Sequence, residues 1–577
     1  MTVFSSPNLN YGYPRPGQQE LNSQDIMNHV FFLSPSEWKK TREEKQFDYI
    51  VIGSGFCALG FIERVINKDD NARILLIERG SFFLPEHVQN LPTSYQKLLL
   101  KQALKTFPWT LSSKTLNLNK YIKWQHGIIP FFGGGSTLWS AWCPEPTTAE
   151  MNGWPQATIK AAQDYFKTAK RLLNVVGANH EETGNIFDHW QNKLTERLKQ
   201  NLQDIKSATR VQHAQIAVGT PTITSTDVEK FSTPGPLLDE VIKCQEEAKK
   251  RQIDSRLSIV TECTVTRIWQ QENQATALET TRGVVNVGDS KIILAMGSIP
   301  STTLVLNSFP QAKNAGKRFT AHFISAIVAR IPREDFLEIF DWEESIKDDL
   351  RKKNLELAAI YLAGVDQETQ GQYHIQLSAI SDPDPTNKTH IDTAARNMPD
   401  VVATASPKQL ETSKDYIVFV CAVLGELFDN PGNGLQKNDG DDPTTNVTLQ
   451  VLETDKDLSL WDTMDKATFE VLEQGLSPKG KDRVEYWHGD PDTGQWKRER
   501  HKTRVPGLVH EASTMWIGDD EEAVVGLDYR LKGVENVYIT GASLWPTGGS
   551  WNPTLTMVAL AQHLADNLTE QAKEIKT

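Results

Sequence analysis

An apolar run that breaks into glycine is the feature that most constrains the fold of this chain. Residues 47–52 read F-D-Y-I-V-I, Gly53 and Gly55 follow, and a helix-like pattern begins at Phe56. This order predicts a strand, a tight turn and a helix. Gly53 can adopt the turn conformation, Gly55 lets the backbone approach a pyrophosphate, and the small Ala58 allows the helix to pack on the strand. The pattern favours a dinucleotide site with its phosphates at the helix N terminus.

A second apolar run supports this interpretation. Residues 72–77 form a strand-like segment that ends at Glu78, 25 residues after Gly53. An acidic residue near this offset binds the adenosine ribose in dinucleotide sites. The alternative is a glycine turn without a function, but the strand, the helix and an acid at the expected spacing disfavour it. Glu78 and the adjacent Arg79 are therefore candidate cofactor-binding residues.

Length and composition exclude several classes of protein. The 577 residues exceed what one compact core accommodates, and we expect two large domains. A net charge of −13 argues against a nucleic-acid partner. The first 16 residues lack the basic start and apolar core of a signal peptide, and no window has 18 uninterrupted apolar residues, so we expect a cytoplasmic protein without a membrane span. Five scattered cysteines predict neither a disulfide scaffold nor a metal site.

Two further glycine segments are typical of close approach to a cofactor. Residues 133–135 are three glycines between bulky aromatic residues, and such a backbone exposes its N–H groups. A flexible linker is the alternative, although linkers are usually flanked by polar residues. A buried strand at residues 291–294 ends in Ala295-Met296-Gly297-Ser298, and Pro300 favours a helix start there.

The remaining patterns predict a parallel nucleotide-binding sheet beside a more antiparallel substrate domain. A mixed segment at 81–123 is expected to wrap the cofactor domain, and polar loops are expected at 430–446 and 478–500. Helices are predicted near 22–32, 159–173, 236–251 and from 553 to about 573, and strands at 257–269, 284–287, 356–363, 372–380, 416–424 and 537–539.

The C-terminal region contains two candidate catalytic residues, His510 and Asn552. Asn552 precedes Pro553, and Asn followed by Pro is typical of a helix start, so a structural role alone could explain it. The same helix N terminus could also place partial positive charge near a reduced flavin. One histidine among 13 is more often a surface or core residue than a catalytic one.

Taken in order, these segments resemble the glucose-methanol-choline (GMC) family of FAD-dependent oxidoreductases, across about residues 47–567. Within the family they look most like the pyranose 2-oxidase branch. Residues 510–514 are similar to its His-x-x-Gly-Thr block, with Ser513 in place of the glycine, and residues 549–556 to its Ala-Asn-Pro-Thr-Leu-Thr block.

The resemblance implies an α/β (α+β) fold, with a Rossmann-like FAD-binding domain and a substrate-binding domain built on a largely antiparallel sheet. The FAD-binding domain would comprise 45–145, 225–325 and 505–577. The substrate-binding domain would comprise 146–224 and 326–504, and residues 1–44 would form an N-terminal arm of unassigned role.

The resemblance also implies the site. His510 would be the base at the flavin, with Asn552 as its hydrogen-bonding partner. The residues implied to contact FAD are Gly53, Gly55, Ala58, Glu78, Arg79, Gly134, Gly135, Ser136, Leu138, Ser140, Ala141, Val265, Ala295, Gly297, Gly541, Ala542, Ser543, Asn552, Pro553 and Thr554.

The implied reaction is oxidation of a CH–OH group, with hydride transferred to flavin N5 and oxygen or a quinone as the acceptor. The leading substrate is a sugar or glycoside. The alternatives are a bulky aromatic or terpenoid alcohol, or a non-redox flavin-binding protein or lyase on the same fold. The resemblance leaves the oligomeric state unassigned.

Leu138 generates the first prediction. The branch's sugar oxidases have at this position a histidine that bonds covalently to the flavin, and leucine cannot form that bond. We therefore expect acid precipitation of the purified protein to release yellow flavin into the supernatant, measured by absorbance. Colour that stays with the precipitated protein would contradict a non-covalent cofactor.

Overall fold

The computed structural model describes residues 23–44, 46–92, 114–115, 129–179, 186–187, 189–219, 228–337, 355–400 and 404–576. Most of the predicted wrapping segment at 81–123 lies outside these residues. The described strands are β1 Tyr49–Ile52, β2 Ile74–Ile77, β3 Lys114–Thr115, β4 Val175–Gly177, β5 Ala208–His213, β6 Gln215–Ala217, β7 Leu257–Val260, β8 Val265–Gln271, β9 Gln274–Thr280, β10 Gly283–Asn286, β11 Lys291–Leu294, β12 Thr320–Pro332, β13 Glu356–Val365, β14 Gln372–Ser381, β15 Tyr416–Leu427, β16 Gly434–Lys437, β17 Val447–Gln450, β18 Glu485–His488, β19 Gln495–Lys497, β20 Thr503–Ala512 and β21 Val537–Ile539. The described helices are α1 Ser23–Val30, α2 Pro35–Glu44, α3 Phe56–Lys68, α4 Gln156–Leu172, α5 His189–Gln200, α6 Pro234–Arg251, α7 Ser298–Ser308, α8 Glu334–Leu337, α9 Lys388–Asn397, α10 Pro407–Leu410, α11 Asp455–Glu470 and α12 Thr554–Lys576.

A parallel sheet forms the first half of the fold. Its strands lie in the order β21-β11-β1-β2-β7, and every neighbouring pair is parallel. These strands are short, and β1 and β2 are uninterrupted apolar runs whose residues are all buried, as expected of a sheet covered on both faces. Helix α3 connects β1 to β2 and packs against the C-terminal helix α12. The strand, turn and helix predicted at residues 47–60 are present, and the helix continues to Lys68.

A larger antiparallel sheet forms the second half. Its strands lie in the order β19-β18-β12-β15-β14-β13-β5, and β20 also pairs with β12. Helix α11 packs on β12, β14 and β15. Since side chains alternate across a strand, Phe323 and Tyr373 face the core that includes Trp461 of α11, while their neighbours His322 and His374 face the opposite side. The predicted fold class, a Rossmann-like domain beside a largely antiparallel one, is confirmed.

The described residues also form three smaller sheets. Strands β8, β9 and β10 form an antiparallel sheet, strand β17 pairs with both β16 and β3, and β4 pairs with β6. In the chain, strands β8–β10 lie between β7 and β11, which both belong to the parallel sheet. It is therefore an insertion into the succession of parallel strands.

Several predicted boundaries were wrong. The single strand predicted at 257–269 is two strands, β7 and β8, because the chain turns at Glu262, where φ is +53°, and enters a different sheet. The loops predicted at 430–446 and 478–500 contain β16 and the β18–β19 hairpin. These strands are short and lie among polar residues, so the sequence shows no clear strand pattern there. Helix α12 begins at Thr554, and the Pro553 carbonyl accepts from the Met557 N–H, so Pro553 rather than Asn552 is the N-cap.

A largely buried ion pair joins helices α3, α4 and α12. Arg64 on α3 donates two hydrogen bonds to Asp566 on α12, at 2.7 and 2.6 Å, and Tyr165 on α4 donates a third at 2.6 Å. Burial raises the pKa of Asp566, but the hydrogen bonds from Arg64 and Tyr165 outweigh it and hold the pKa below its ordinary value. The ionised carboxylate therefore fastens α12 to its neighbours.

We expect Asp566→Asn to lower the free energy of unfolding by about 3 kcal/mol at neutral pH, because it leaves Arg64 without its buried partner. The stability that the carboxylate contributes is present above its unfolded pKa and is lost as pH falls through the lowered folded pKa, so the difference should shrink below about pH 4. Urea unfolding of Lys160→Ala, which removes an exposed ion pair with Asp164, is the control and should change stability by about 0.5 kcal/mol or less. Equal losses for the two variants would contradict this role.

Candidate functional site

A cavity of about 380 Å³ lies where the parallel strands end. The segments that follow strands β1, β2, β11 and β21 all contribute to its wall, as do the loop at 129–139, the start of α7 and residues of α12. In open α/β sheets ligands bind outside the carboxyl ends of the strands. The cavity therefore occupies the position that the sequence predicts for a dinucleotide.

Glycine backbone forms part of the wall. At Gly55, Gly135 and Gly297 an added Cβ would meet no described atom within 4 Å, so their surfaces open onto free space. Gly53 differs: its φ is +97° and an added Cβ would lie 2.7 Å from the Ala295 carbonyl oxygen. Gly55 is the N-cap of α3, and no described side chain caps that terminus. The exposed N–H groups there suit a phosphate, so the residues fit a dinucleotide such as FAD.

A buried hydrogen-bond network holds two glycine segments together. Glu78 accepts from the Ser54 hydroxyl at 2.6 Å, from the Ser54 N–H at 3.1 Å and from the Gly80 N–H at 2.9 Å. The Ser54 hydroxyl in turn accepts from the Gly133 N–H at 2.8 Å. Burial raises the pKa of Glu78, against the lowering effect of these donors. The carboxylate fixes the glycine turn as well as bordering the cavity.

Ser136 belongs to the same network but lies behind the wall. Its hydroxyl donates to the Gly133 carbonyl at 2.7 Å and accepts from the Thr233 N–H at 3.0 Å. The Thr233 hydroxyl donates to the Ser54 carbonyl at 2.9 Å. These contacts stabilise the loop that presents Gly134 and Gly135 to the cavity.

His510 lines the cavity from strand β20. Its φ is +65°, a left-handed conformation that is uncommon for histidine. The backbone beside it is held by Ser298 at the start of α7, whose hydroxyl donates to the Glu511 carbonyl at 2.5 Å. Nδ1 of His510 lies 2.8 Å from Nδ1 of His322 on β12. His510 is thus fixed between the two sheets.

Asn552 is buried and is bound to the antiparallel sheet. Gln376 on β14 donates from Nε2 to Asn552 Oδ1 at 2.9 Å and approaches His374 Nε2 at 3.1 Å. The His374 ring stacks on Tyr361 and lies edge-on to His322, with ring centroids 6.4 Å apart. A continuous buried polar cluster therefore connects His510 with Asn552 through side chains of β12 and β14.

The structure shows how Ser513 is accommodated where the similar histidine block has a glycine. This residue occupies the position of a glycine in the histidine block, and its φ is +68°. A left-handed conformation favours glycine and costs other residues on the order of 1–3 kcal/mol. The Ser513 hydroxyl shares a 2.6 Å hydrogen bond with Thr320, which offsets part of that cost.

The structure brings most of the predicted site residues to one cavity. Those on its wall are Gly53, Gly55, Glu78, Arg79, Gly134, Gly135, Val265, Ala295, Gly297, His510, Gly541, Ala542 and Pro553. Ala58, Ser136, Ser543, Asn552 and Thr554 are buried and do not line it, although Asn552 and Thr554 adjoin the wall residue Pro553. Leu138 packs against Leu84 and Val88, and Ala141 is buried in a separate core, where its N–H donates to the Pro399 carbonyl; Ser140 lies between them in the chain.

Sequence reasoning missed His322, His374 and Gln376. One signal for the latter two was present, since residues 372–379 alternate polar and apolar side chains, Q-Y-H-I-Q-L-S-A. In an antiparallel strand this places Gln372, His374 and Gln376 on one face. A buried strand with a polar face indicates a site rather than plain core. For His322 no comparable pattern exists.

Other chemistries find little support at this cavity. Burial raises the pKa of the Cys57 thiol to about 12, so a thiolate nucleophile is disfavoured. Within the described ranges, no group of three or more His, Cys, Asp and Glu residues could hold a metal ion.

None of the helices in the described part of the chain has the length and apolar character to cross a membrane.

Comparison with known proteins gives three findings. Residues 434–561 match the family described as GMC oxidoreductase. An alcohol oxidase from Candida boidinii is 30% identical over 136 residues, which span 22% of this chain and 20% of that protein. The structure of a formate oxidase from Aspergillus oryzae, from work on FAD modification, aligns with this chain at a TM-score of 0.57 and 12% identity. The alignment covers 92% of this chain and 99% of the formate oxidase chain. A second formate oxidase structure aligns at a TM-score of 0.56.

These findings support an oxidoreductase related to the GMC family. The family match covers the segment that contains His510 and Asn552, and the chain spans about a fifth of the alcohol oxidase that it matches. At 12% identity the formate oxidases show the shared fold alone. None of the three findings addresses the pyranose 2-oxidase branch, which stays a prediction.

The open glycine wall generates a prediction about the cofactor. Gly55 has φ −80° and ψ −163°, which any residue can adopt, so Gly55→Val adds volume to the cavity with little backbone strain. We expect flavin bound per purified chain to fall at least about tenfold, as for one misplaced contact group in a tight site. The same substitution at the exposed Gly235, which also meets no described atom within 4 Å, is the control. Flavin content equal to that of the unmodified protein would contradict a cofactor at this wall.

Proposed function

We propose that this protein is an FAD-dependent oxidoreductase that oxidises a CH–OH group of a small-molecule alcohol. One observation carries the proposal: His510 borders the same cavity as the glycine segments that fit a dinucleotide. The match of residues 434–561 to the GMC oxidoreductases and the similarity to an alcohol oxidase support it.

The cofactor would lie along the cavity from the strand ends of β1 and β2 to β20. The α3 N terminus with Gly134 and Gly135 would hold the pyrophosphate, and Glu78, Arg79 and Val265 the adenosine end. His510, Pro553 and the segment 540–542 would surround the ring, without a covalent bond because Leu138 cannot form one. When bound, FAD supplies the hydride acceptor.

Within this proposal His510 is the general base. It accepts the hydroxyl proton of the alcohol, which requires a neutral imidazole before the reaction. Asn552 does not line the cavity itself but adjoins the wall residue Pro553, and from there it would reach and orient the alcohol oxygen. Because Gln376 donates to Asn552 Oδ1, the amide nitrogen of Asn552 remains as the hydrogen-bond donor for that oxygen.

The substrate class we propose is a sugar or glycoside. Polar side chains on β14 support it, since Gln376 donates to Asn552 and approaches His374, which makes the surroundings of Asn552 polar. Anaerobic mixing with a panel of sugars and a panel of aromatic alcohols distinguishes the two substrate classes, because the true substrate bleaches the flavin absorbance. A lyase would convert its substrate without bleaching the flavin.

Oxygen or a quinone would accept the electrons from the reduced cofactor. The domain division stays as proposed from the resemblance: residues 45–145, 225–325 and 505–577 would bind FAD, and 146–224 with 326–504 would cover the substrate. In this division strand β12 begins in one domain and ends in the other, so its N-terminal part lies at the boundary where His322 and His510 meet.

We expect His510→Ala to slow flavin reduction by the substrate by about 10²–10⁴-fold while flavin remains bound, because a general base contributes rate rather than cofactor affinity. Stopped-flow absorbance under anaerobic conditions measures this rate. His29→Ala, at an exposed position on α1, is the control and should reduce at the rate of the unmodified protein. Full-rate reduction in His510→Ala would remove His510 from the role of base.

A further inference from the structure

We propose that the loop between β16 and β17, residues 438–446, covers the adenosine end of the cavity and slows the release of FAD. The side chains of Asn307 and Asn446 hold this cover loop in place. The inference deepens the proposed function and rests on its assignment of FAD to the cavity. Two residues of the loop, Pro443 and Thr444, line the cavity. They lie in the polar loop predicted at 430–446, outside the residues that the sequence assigned to the site.

A pair of side-chain amides fastens the cover loop to α7. Asn307 donates to Asn446 Oδ1 at 2.8 Å, and Asn446 donates back to Asn307 Oδ1 at 2.9 Å. Nδ2 of Asn307 also lies 3.1 Å from the Pro443 carbonyl oxygen. Asn446 is 6% exposed, so water competes little for these hydrogen bonds. The pair therefore holds the loop within two residues of the wall residue Thr444.

A backbone hydrogen bond places this attachment at the adenosine end. Asn307 is in the last turn of α7, and the hydroxyl of the next residue, Ser308, accepts from the Ile268 N–H of β8 at 2.9 Å. Val265, at the start of the same strand, lines the cavity and is one of the residues that would contact the adenosine. The cover loop and the start of β8 therefore lie near the same end of the cavity.

A charge contact supports this placement. Burial raises the pKa of Asp442, but hydrogen bonds from Thr444 and the positive charge of Arg79 outweigh it and hold the pKa below its ordinary value. Such an effect falls off with distance. Arg79 lines the cavity beside Glu78, at the end that would hold the adenosine.

The cover loop is anchored at its base and free at its tip. Leu435 of β16 donates its N–H to the Gly316 carbonyl at 2.8 Å, and an added Cβ at Gly434 would lie 2.4 Å from the same oxygen. Residues 439–442, in contrast, are exposed. Loss of the amide pair should therefore release the loop without unfolding the hairpin that bears it.

A cover at this end affects the lifetime of the bound cofactor rather than the reaction. A cofactor held without a covalent bond leaves by dissociation, and most changes at a binding site alter the dissociation rate. His510 lies at the end of the cavity that would hold the ring. The rate of flavin reduction should therefore be independent of the cover loop.

The rate of FAD release tests the cover loop. The holoprotein is diluted into excess ADP, which prevents rebinding, and the gain of flavin fluorescence is followed. We expect Asn307→Ala and Asn446→Ala each to release FAD about tenfold faster than the unmodified protein, as for the loss of two hydrogen bonds. The double variant should release FAD no faster than Asn307→Ala, because both changes remove one pair. Gln270→Ala removes a reciprocal amide pair with Gln311 at the surface; it is the control and should leave the rate unchanged.

Hydrogen exchange provides a test that needs no variant, and it decides the matter if the asparagine variants do not fold. In the unmodified full chain freed of flavin, binding of ADP should slow amide exchange in peptides that cover residues 438–446. Exchange in the loop at 489–494, between β18 and β19, should be unchanged.

Two results would overturn the proposal while the proposed function stands: release rates in both asparagine variants equal to that of the unmodified protein, or exchange in the cover loop that ADP does not alter. A chain that binds neither FAD nor ADP would contradict both. If ADP protects the loop but no alcohol bleaches the bound flavin, the proposed function fails and the cover loop stands.

Discussion

The hydrogen bonds that join Glu78, Ser54 and Gly133 are the interactions on which the rest of the site depends. A buried carboxyl is costly unless it is hydrogen-bonded, and the turn after β1 brings both donors of Ser54 to Glu78, which also accepts from the Gly80 N–H. The Ser54 hydroxyl then holds the Gly133 N–H. One buried side chain thus aligns two glycine segments that are 80 residues apart, and the cavity wall results from that alignment.

The second requirement is the meeting of the two sheets. Strand β20 pairs with β12 of the antiparallel sheet, yet its end reaches the cavity of the parallel sheet through His510. Ser298 of α7 fixes the backbone beside His510 from the parallel side, and His322 fixes the ring from the antiparallel side. The left-handed backbone at His510 is maintained by contacts from both directions, as expected of a strained residue at a functional site.

The parts of the structure that were predicted from the sequence are those encoded locally. The turn at Gly53 and Gly55, the acid at Glu78 and the Ala295–Gly297 turn each lie within a few residues of the strand that positions them. The pairs that complete the site lie far apart in sequence: 188 residues separate His322 from His510, and 176 separate Gln376 from Asn552. Such contacts depend on strand order and register, which a single sequence does not specify. The break at Glu262 was missed for a similar reason, because the apolar pattern continues while the chain changes sheets.

The central claim is that one cavity holds the cofactor with its reactive end at His510. A crystal structure of the protein with its bound flavin tests this most directly. The account predicts the pyrophosphate at the first turn of α3, the adenosine beside Glu78 and the flavin ring against His510, with no bond to Leu138. A flavin bound in the opposite direction, with its adenine at His510, or bound outside this cavity, would contradict the account.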